Sequence, residues 1–291
     1  MTIHFCMPFW GDPTDLRSAV ASVLAQSDPD WILTVIDDCY PDPSVPEYFA
    51  QLRDPRIEYR RNDTNLGITD NFRRAVTSAR TDYTVILGSD DLLGPHYVAR
   101  MSKVAARYPD VDVFQGGVRV VDAHGHTTRT LVDSVKRLLT PRSPRTFRGE
   151  EMAATLLMGN WLYWPSLMFR TEKLRSIDFR DDLPIILDLA LLIDIALQDG
   201  ALHFEPGVVF SYRRHAASLS QKAILDGSRF TDERAYYREA AGLADERGWA
   251  RASRAARWRI MSRLHGVSIL PSVIRGGDPR ARRAAVALIF R

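Results

Sequence analysis

Short apolar runs alternate with segments whose apolar positions recur every three or four residues, and this rhythm continues to about residue 215. Ile3-His-Phe-Cys-Met7 is the first run, and Pro8 closes it. Asp12-Pro13 then supplies a helix cap followed by proline at the first helical position. Leu16, Val20, Val23 and Leu24 fall at helical spacing, which predicts a helix over residues 13–25. Trp31-Ile-Leu-Thr-Val-Ile36 is a second apolar strand and ends in Asp37 and Asp38. Proline content makes residues 40–46 a loop; residues 46–52 read as a helix and 57–60 as a third strand. After the turn-rich Asn62-Asp-Thr-Asn-Leu-Gly67 comes a helix over about 70–79. A fourth strand, residues 83–88, then stops at Gly88-Ser-Asp-Asp91. Strands alternating with helices at this spacing predict βαβ units, a mostly parallel sheet and an α/β fold. Right-handed crossovers put both aspartate pairs along one sheet edge, where open α/β folds bind ligands.

Further on, residues 95–108 read as a helix, and 112–115 and 118–121 as strands. Residues 122–149, with His124-Gly-His126 and Thr140-Pro-Arg-Ser-Pro-Arg145, show little apolar periodicity. They read as a long loop, either a mobile lid or a plain surface insertion. A short helix over 150–158 precedes the aromatic cluster Asn160-Trp-Leu-Tyr-Trp-Pro165, and residues 166–169 form a strand. Residues 185–197 are an apolar helix interrupted by Asp188 and Asp194, whose spacing puts them on different faces. Strands at 202–205 and 208–212 lead to Arg213-Arg214-His215, and beyond Ser220 the pattern is helical throughout.

Composition changes this picture little: 45% hydrophobic and 26% charged residues describe an ordinary globular chain. Two cysteines, Cys6 and Cys39, cannot form a disulfide framework and lack metal-ligand spacing, which fits a reduced, cytoplasmic setting. The start, Met1-Thr-Ile-His-Phe-Cys6, lacks a signal-peptide layout. No apolar run approaches the ~18 residues that span a bilayer. Charge changes it more. Residues 213–291 carry 17 Lys and Arg against 7 Asp and Glu, a net of +10, which leaves −7 for residues 1–212. An acidic body with a basic tail suggests two parts, 1–215 and 216–291, with different partners.

Adjacent carboxylates at a strand end repel each other unless a cation or donors offset them. They suit a divalent metal holding a phosphorylated ligand, but taken alone such a pair is more often a turn with a helix cap. The ordered set resembles a known family. Pro8-Phe9 follows the first strand and Asp37-Asp38 the second. Asn65-Leu-Gly67 with Asn71, then Gly88-Ser-Asp-Asp91, and an acid on a later apolar helix complete the series. Together they are similar to the family 2 glycosyltransferases of the GT-A fold, over residues 1 to about 215.

The resemblance implies an inverting transfer of a sugar from a nucleotide-diphosphate donor to an acceptor hydroxyl. It implies Asp91 as principal ligand of Mg²⁺ or Mn²⁺, with Asp90 on the ribose or assisting the metal. Hard carboxylate oxygens suit such ions, which offset charge building on the diphosphate. Pro8, Phe9, Asp37, Asp38, Asn65 and Gly67 would surround the nucleotide. Asp188 alone fits the general base, and an apolar setting would raise its pKa. His215 would approach the metal or diphosphate, and Trp161 and Trp164 could stack on a sugar or belong to the core. The family usually has another acid where this chain has Gly88.

From Arg247 to Arg291 there are 11 arginines, no lysine and one acid, Asp278. Basic and apolar positions mixed at helical spacing suit an anionic membrane surface, as an acceptor carried on a lipid would require. That would place the chain at the inner face of the cytoplasmic membrane. A solvated helical face packed on the main body is the competing reading, and no nucleic-acid module accompanies the charge. The work implied is bacterial cell-surface polysaccharide or glycolipid synthesis. From a different class, a nucleotide-binding scaffold on the same fold, without turnover, is the alternative.

Overall fold

The computed structural model describes residues 1–183, 185–214, 227–276 and 279–290. Four strands, β1 (Ile3–Phe9), β2 (Trp31–Asp37), β3 (Ile57–Arg61) and β4 (Tyr83–Ile86), lie parallel in the order β3-β2-β1-β4. β1, β2 and β4 are almost wholly buried, as strands covered by helices on both faces must be, while β3 at the sheet's end is partly exposed. The sheet continues through β5 (Leu92–Leu93), β6 (Val113–Val121), β7 (Arg145–Arg148), β8 (Leu167–Arg170) and β9 (Ala201–Arg213). Its full order is β3-β2-β1-β4-β8-β6-β9-β5, with β7 beside β9. β5, β7 and β8 run against the rest, so six of nine strands share one direction.

The first crossover helix, α1 (Pro13–Leu24), begins where Asp12 accepts the Thr14 N–H at 2.6 Å, and it buries Leu16, Ala19, Val20 and Val23 on the sheet. α2 (Ser44–Gln51), α3 (Ile68–Ser78) and α4 (Tyr97–Arg107) complete the parallel half. The runs expected as separate strands at 112–115 and 118–121 are one strand, β6, with a register irregularity around Gly117; β9 likewise joins 202–205 to 208–212.

Residues 122–149 are not the expected loop. They contain α5 (Leu131–Leu139) and β7. The Thr130 side chain accepts the Asp133 N–H while Asp133 accepts the Thr130 N–H, a reciprocal cap that satisfies two otherwise orphaned donors. α6 (Gly149–Met158), α7 (Thr171–Arg175) and α8 (Leu187–Leu197) follow.

The chain closes with α9 (Ser228–Glu246), α10 (Ala250–Trp258), α11 (Ile260–Gly276) and α12 (Pro279–Phe290). The division expected at 215/216 does not coincide with a break in packing. Tyr236, Tyr237 and Ala240 of α9, with Ala252 and Ala256 of α10, share one core with Leu156 of α6 and Leu191 of α8. Only α11 and α12 have a core of their own, built with Phe230. Among the described residues no helix is long and apolar enough to cross a membrane.

Candidate active site

Because β1, β2 and β4 are parallel, Phe9, Asp37 and the turn after Ile86 lie along one sheet edge, and β9, which runs the same way, ends there in Arg213. Pro8 pairs with Ile36 inside the sheet. Phe9 is buried, its ring 5.2 Å from Tyr40 in an edge-on contact. The neighbouring Trp10 is 53% exposed and meets Tyr40 edge-on at 5.3 Å, an aromatic at this edge that the sequence pattern did not single out.

Asp37 and Asp38 are both turned into the protein. Asp37 accepts the Tyr40 N–H at 2.7 Å and the Tyr59 hydroxyl, with the Arg61 guanidinium 3.7 Å away. Asp38 accepts the Asn62 amide at 2.7 Å and the backbone N–H groups of Leu66 and Gly67, each at 2.9 Å. Asn65 accepts the Gly67 N–H at 3.0 Å, and Gly67 has φ +83°, a left-handed conformation that glycine adopts without penalty. Asn71 donates to the Ile36 carbonyl at 3.2 Å from the next helix. The 62–67 loop is therefore clamped to the end of β2. Asp37 is 0% and Asp38 2% exposed, and the chain's own donors occupy these carboxylates that the sequence placed beside the base and ribose.

The second pair is built differently. Asp91 is fully buried; its Oδ1 accepts the Arg213 N–H at 2.8 Å, and its Oδ2 has no hydrogen-bond partner. Burial, and next the charge of Asp90, push the Asp91 carboxyl well above the usual carboxylate range. The Arg213 side chain closes the turn, donating to the Asp90 carbonyl and the Ala123 carbonyl, each at 2.8 Å, and lying 3.5 Å from Asp15. A Cβ at Gly88 would sit 2.6 Å from Asp91 Oδ2 and 3.0 Å from Asp90 Oδ1. The glycine thus leaves a space onto which two carboxylate oxygens converge.

That space tests the implied metal. A buried carboxylate oxygen without a donor, next to a second carboxylate, fits a hard cation that takes one or two protein oxygens and completes its shell with phosphate and water. Among the described residues no group of three His, Cys, Asp or Glu forms a preformed cage. His215 lies outside the described residues.

Asp188 stands in the first turn of α8, half-buried. It accepts the Leu189 N–H at 2.8 Å and the Asn160 amide at 3.2 Å. Asp194 is held above the usual carboxylate range by burial. α5, missed in the sequence, brings Lys136 to the same region. Its ammonium donates to the Leu162 carbonyl and lies 4.5 Å from the centre of the Tyr163 ring. Burial, partly offset by the Asp188 charge, lowers that ammonium to about 8. Asp133, also on α5, pairs with Arg214 and accepts the Tyr163 hydroxyl at 3.1 Å. Burial opposes its charge, but Arg214 and the Thr130 hydroxyl outweigh that and hold Asp133 below its usual value. The available signal was Thr130-x-x-Asp133 ahead of apolar positions at helical spacing.

The two tryptophans expected at an acceptor part company from that role. Trp161 is fully buried between Phe147 and Phe204, so neither ring face is open to a sugar. Trp164 is half-buried, stacked on Phe72 with Phe169 and Phe179 around it. Both belong to the aromatic core under the site.

Against known proteins, the profile described as Glycosyl transferase family 2 matches residues 5–168, more than half of the chain. The succinoglycan biosynthesis protein ExoO of Rhizobium meliloti (strain 1021) is 25% identical over 232 residues, 77% of this chain and 64% of its own length. WcaA of Escherichia coli (strain K12), named for colanic acid biosynthesis, is 32% identical over 95 residues, 32% of this chain and 34% of WcaA. This chain spans between 13% and 64% of the length of the curated relatives it matches. In structure it is similar to residues 1–349 of S. aureus TarS in complex with UDP-GlcNAc: the TM-score is 0.68 at 14% identity, covering 99% of this chain and 88% of that one. At that identity the likeness establishes the fold, which is GT-A. With the profile match across the parallel half of the sheet, this chain belongs to glycosyl transferase family 2.

Proposed function

We propose that the chain transfers a sugar, with inversion, from a nucleotide-diphosphate donor to a hydroxyl of a glycan or lipid-linked acceptor in cell-surface polysaccharide synthesis. The observation that carries this reading is the unpartnered, buried Oδ2 of Asp91 converging with Asp90 over Gly88 at the sheet edge. Support for the donor class comes from the likeness to TarS, solved with UDP-GlcNAc and with UDP. Support for the pathway comes from ExoO, named for succinoglycan biosynthesis, and WcaA, named for colanic acid biosynthesis.

In this reading Asp37 and Asp38 act indirectly, by fixing Tyr40 and the 62–67 loop that border the nucleotide. Asp90 and Asp91 would hold Mg²⁺ or Mn²⁺, which supplies positive charge beside the departing diphosphate. Asp188 is the general base. Its carboxylate takes the acceptor hydroxyl proton as that oxygen bonds to the anomeric carbon and the bond to the diphosphate breaks. Asn160 holds one Asp188 oxygen at 3.2 Å and thereby orients the carboxylate. Arg213 and Arg214 place cationic charge at the same edge, and His215 would extend it.

A panel of sugar nucleotides with Mn²⁺ tests the reading, scored by release of nucleoside diphosphate. Turnover on at least one donor is expected, and Asp188→Asn should lower it by about 10²- to 10⁴-fold. A second reading, a nucleotide-binding scaffold without turnover, is favoured by the lack of a three-ligand cluster among the described residues. Tight nucleotide binding with no turnover on any donor, unchanged in Asp188→Asn, would establish that reading instead.

A further inference from the structure

α10 and α11 leave an apolar strip in solvent. Trp258 is 61% exposed, Ile260 44%, Leu264 54%, Val267 50% and Ile274 53%. At ~100° per residue the side chains of Ile260, Leu264, Val267, Pro271 and Ile274 fall within an arc of roughly 80°. Arg263 and Arg275 lie about 20° beyond opposite edges of that arc. The helix already has a buried face: Val273, Ile269 and Leu270 pack in the small core with Phe230 and α12. The exposed strip is therefore a second apolar face. Trp258, Ile260, Arg263, Leu264 and Val267 line one shallow surface cavity of about 270 Å³, so α10 and α11 share the strip.

Charge identifies what covers it. Residues 247–291 hold 11 arginines and one acid. Where α11 begins, cations crowd one another: burial, then Arg263, Arg234 and Arg238, lower the Arg259 guanidinium from its ordinary value, with Glu233 acting against them. Apolar side chains bracketed by arginines on both sides match the boundary between acyl chains and anionic headgroups, where arginine stems stay apolar and their heads reach phosphate. A second copy of this face would set arginine against arginine.

We propose that the α10–α11 face docks on an anionic lipid surface, with Trp258, Ile260, Leu264 and Val267 entering the headgroup boundary and Arg263 and Arg275 binding lipid phosphates on either side. The contact needs no transferase activity of its own.

Sedimentation of the full chain with vesicles tests this. Binding is expected to phosphatidylcholine vesicles containing ~30% phosphatidylglycerol, with little to pure phosphatidylcholine, and to weaken in ~0.5 M NaCl. Leu264→Glu should lower the bound fraction by about tenfold, and the double variant Arg263→Gln, Arg275→Gln should erase the preference for anionic lipid. Leu264 and Arg275 are exposed and Arg263 is half-buried, none of them at the sheet-edge site, so the Leu264→Glu and Arg275→Gln variants should keep wild-type thermal stability and donor turnover in solution. Absence of vesicle binding, or variants that sediment like wild type, overturns the proposal. So does self-association without vesicle binding that Leu264→Glu disperses, because the face then joins copies of this chain. A wild-type chain that binds vesicles but turns over no donor defeats the transferase reading and leaves the docking face standing.

Discussion

Asp37-Asp38 and Asp90-Asp91 follow β2 and β4, the two strands that flank β1, and in sequence each is a pair of aspartates ending an apolar run. Their surroundings differ. Asp38 accepts three hydrogen bonds, two from backbone N–H groups of one loop, and Asp37 takes a backbone N–H and a phenol. Asp91 accepts one backbone N–H and keeps an oxygen that is buried and unpartnered. A carboxylate whose acceptor sites are filled by its own chain is scaffold. One with a buried vacant oxygen is destabilised by itself and stabilised by whatever brings positive charge to it. The same dipeptide thus anchors a loop at one strand end and leaves a half-made site at the other.

Substitutions can break this contrast. The largest effect is expected from Asp91→Asn, which keeps an acceptor for the Arg213 N–H and removes the charge. Turnover with Mn²⁺ should fall by about 10³-fold or more, roughly 4 kcal/mol of barrier. Its thermal stability without nucleotide should not fall, and a loss of stability matching the loss of turnover would make Asp91 scaffold too. Asp38→Ala should behave in the opposite way. It strands the Asn62 amide and the Leu66 and Gly67 N–H groups, so urea unfolding should register a loss of about 2–4 kcal/mol, with weaker nucleotide binding as its consequence.

A smaller effect is expected from Gly88→Ala. The new methyl would occupy the space onto which Asp90 and Asp91 converge and displace Asp91 Oδ2, the nearest atom. Turnover should drop about tenfold while unfolding free energy changes by roughly 1–2 kcal/mol. Unchanged Mn²⁺ dependence in this variant would show that the two oxygens do not act together.

The smallest effect is on pH dependence. The folded-state pKa of Asp91 is raised above its unfolded value by burial and by Asp90. Between those two values the folded chain holds the extra proton, so this carboxyl's contribution is present at low pH and is lost as pH rises through the folded value. In the absence of metal and nucleotide, Asp91→Asn should gain stability over wild type as pH rises through the raised Asp91 pKa, and the gap should close as pH falls. Calorimetry across that range, repeated with Mn²⁺ and nucleoside diphosphate, measures it. A gap independent of pH would mean that the Asp91 carboxyl does not titrate there.

The contrast between the two pairs also marks how far the sequence can be read. Apolar runs and proline punctuation located β1 to β4 and the helices between them within a few residues, because buried parallel strands and amphipathic helices impose local periods on their own residues. α5 escaped for a physical reason: its start is fixed by Thr130 and Asp133, but Asp133 is held in place by Arg214, 81 residues away. Leu131 and Leu138 on that helix are 66% and 73% exposed, so two of its apolar positions lie off the face that packs on the body and blur the pattern. Trp161 and Trp164 illustrate the same limit. Neighbours in an aromatic cluster look alike, and only the rings that surround them separate a core residue from a binding platform.

The sequence by itself determined the alternation of strands and helices, the parallel half of the sheet, the edge on which both aspartate pairs lie and the concentration of arginine in the last helices. These follow from local spacing and from the handedness of crossovers. The tertiary structure decided what each acid does there. Whether a carboxylate oxygen is filled or vacant depends on donors supplied from 24 to 122 residues away, Asn62 for Asp38 and Arg213 for Asp91, and no local pattern encodes where those donors arrive. It also decided that α9 and α10 belong to the main core while α11 turns a second apolar face outward. That outcome depends on which side of each helix the body covers.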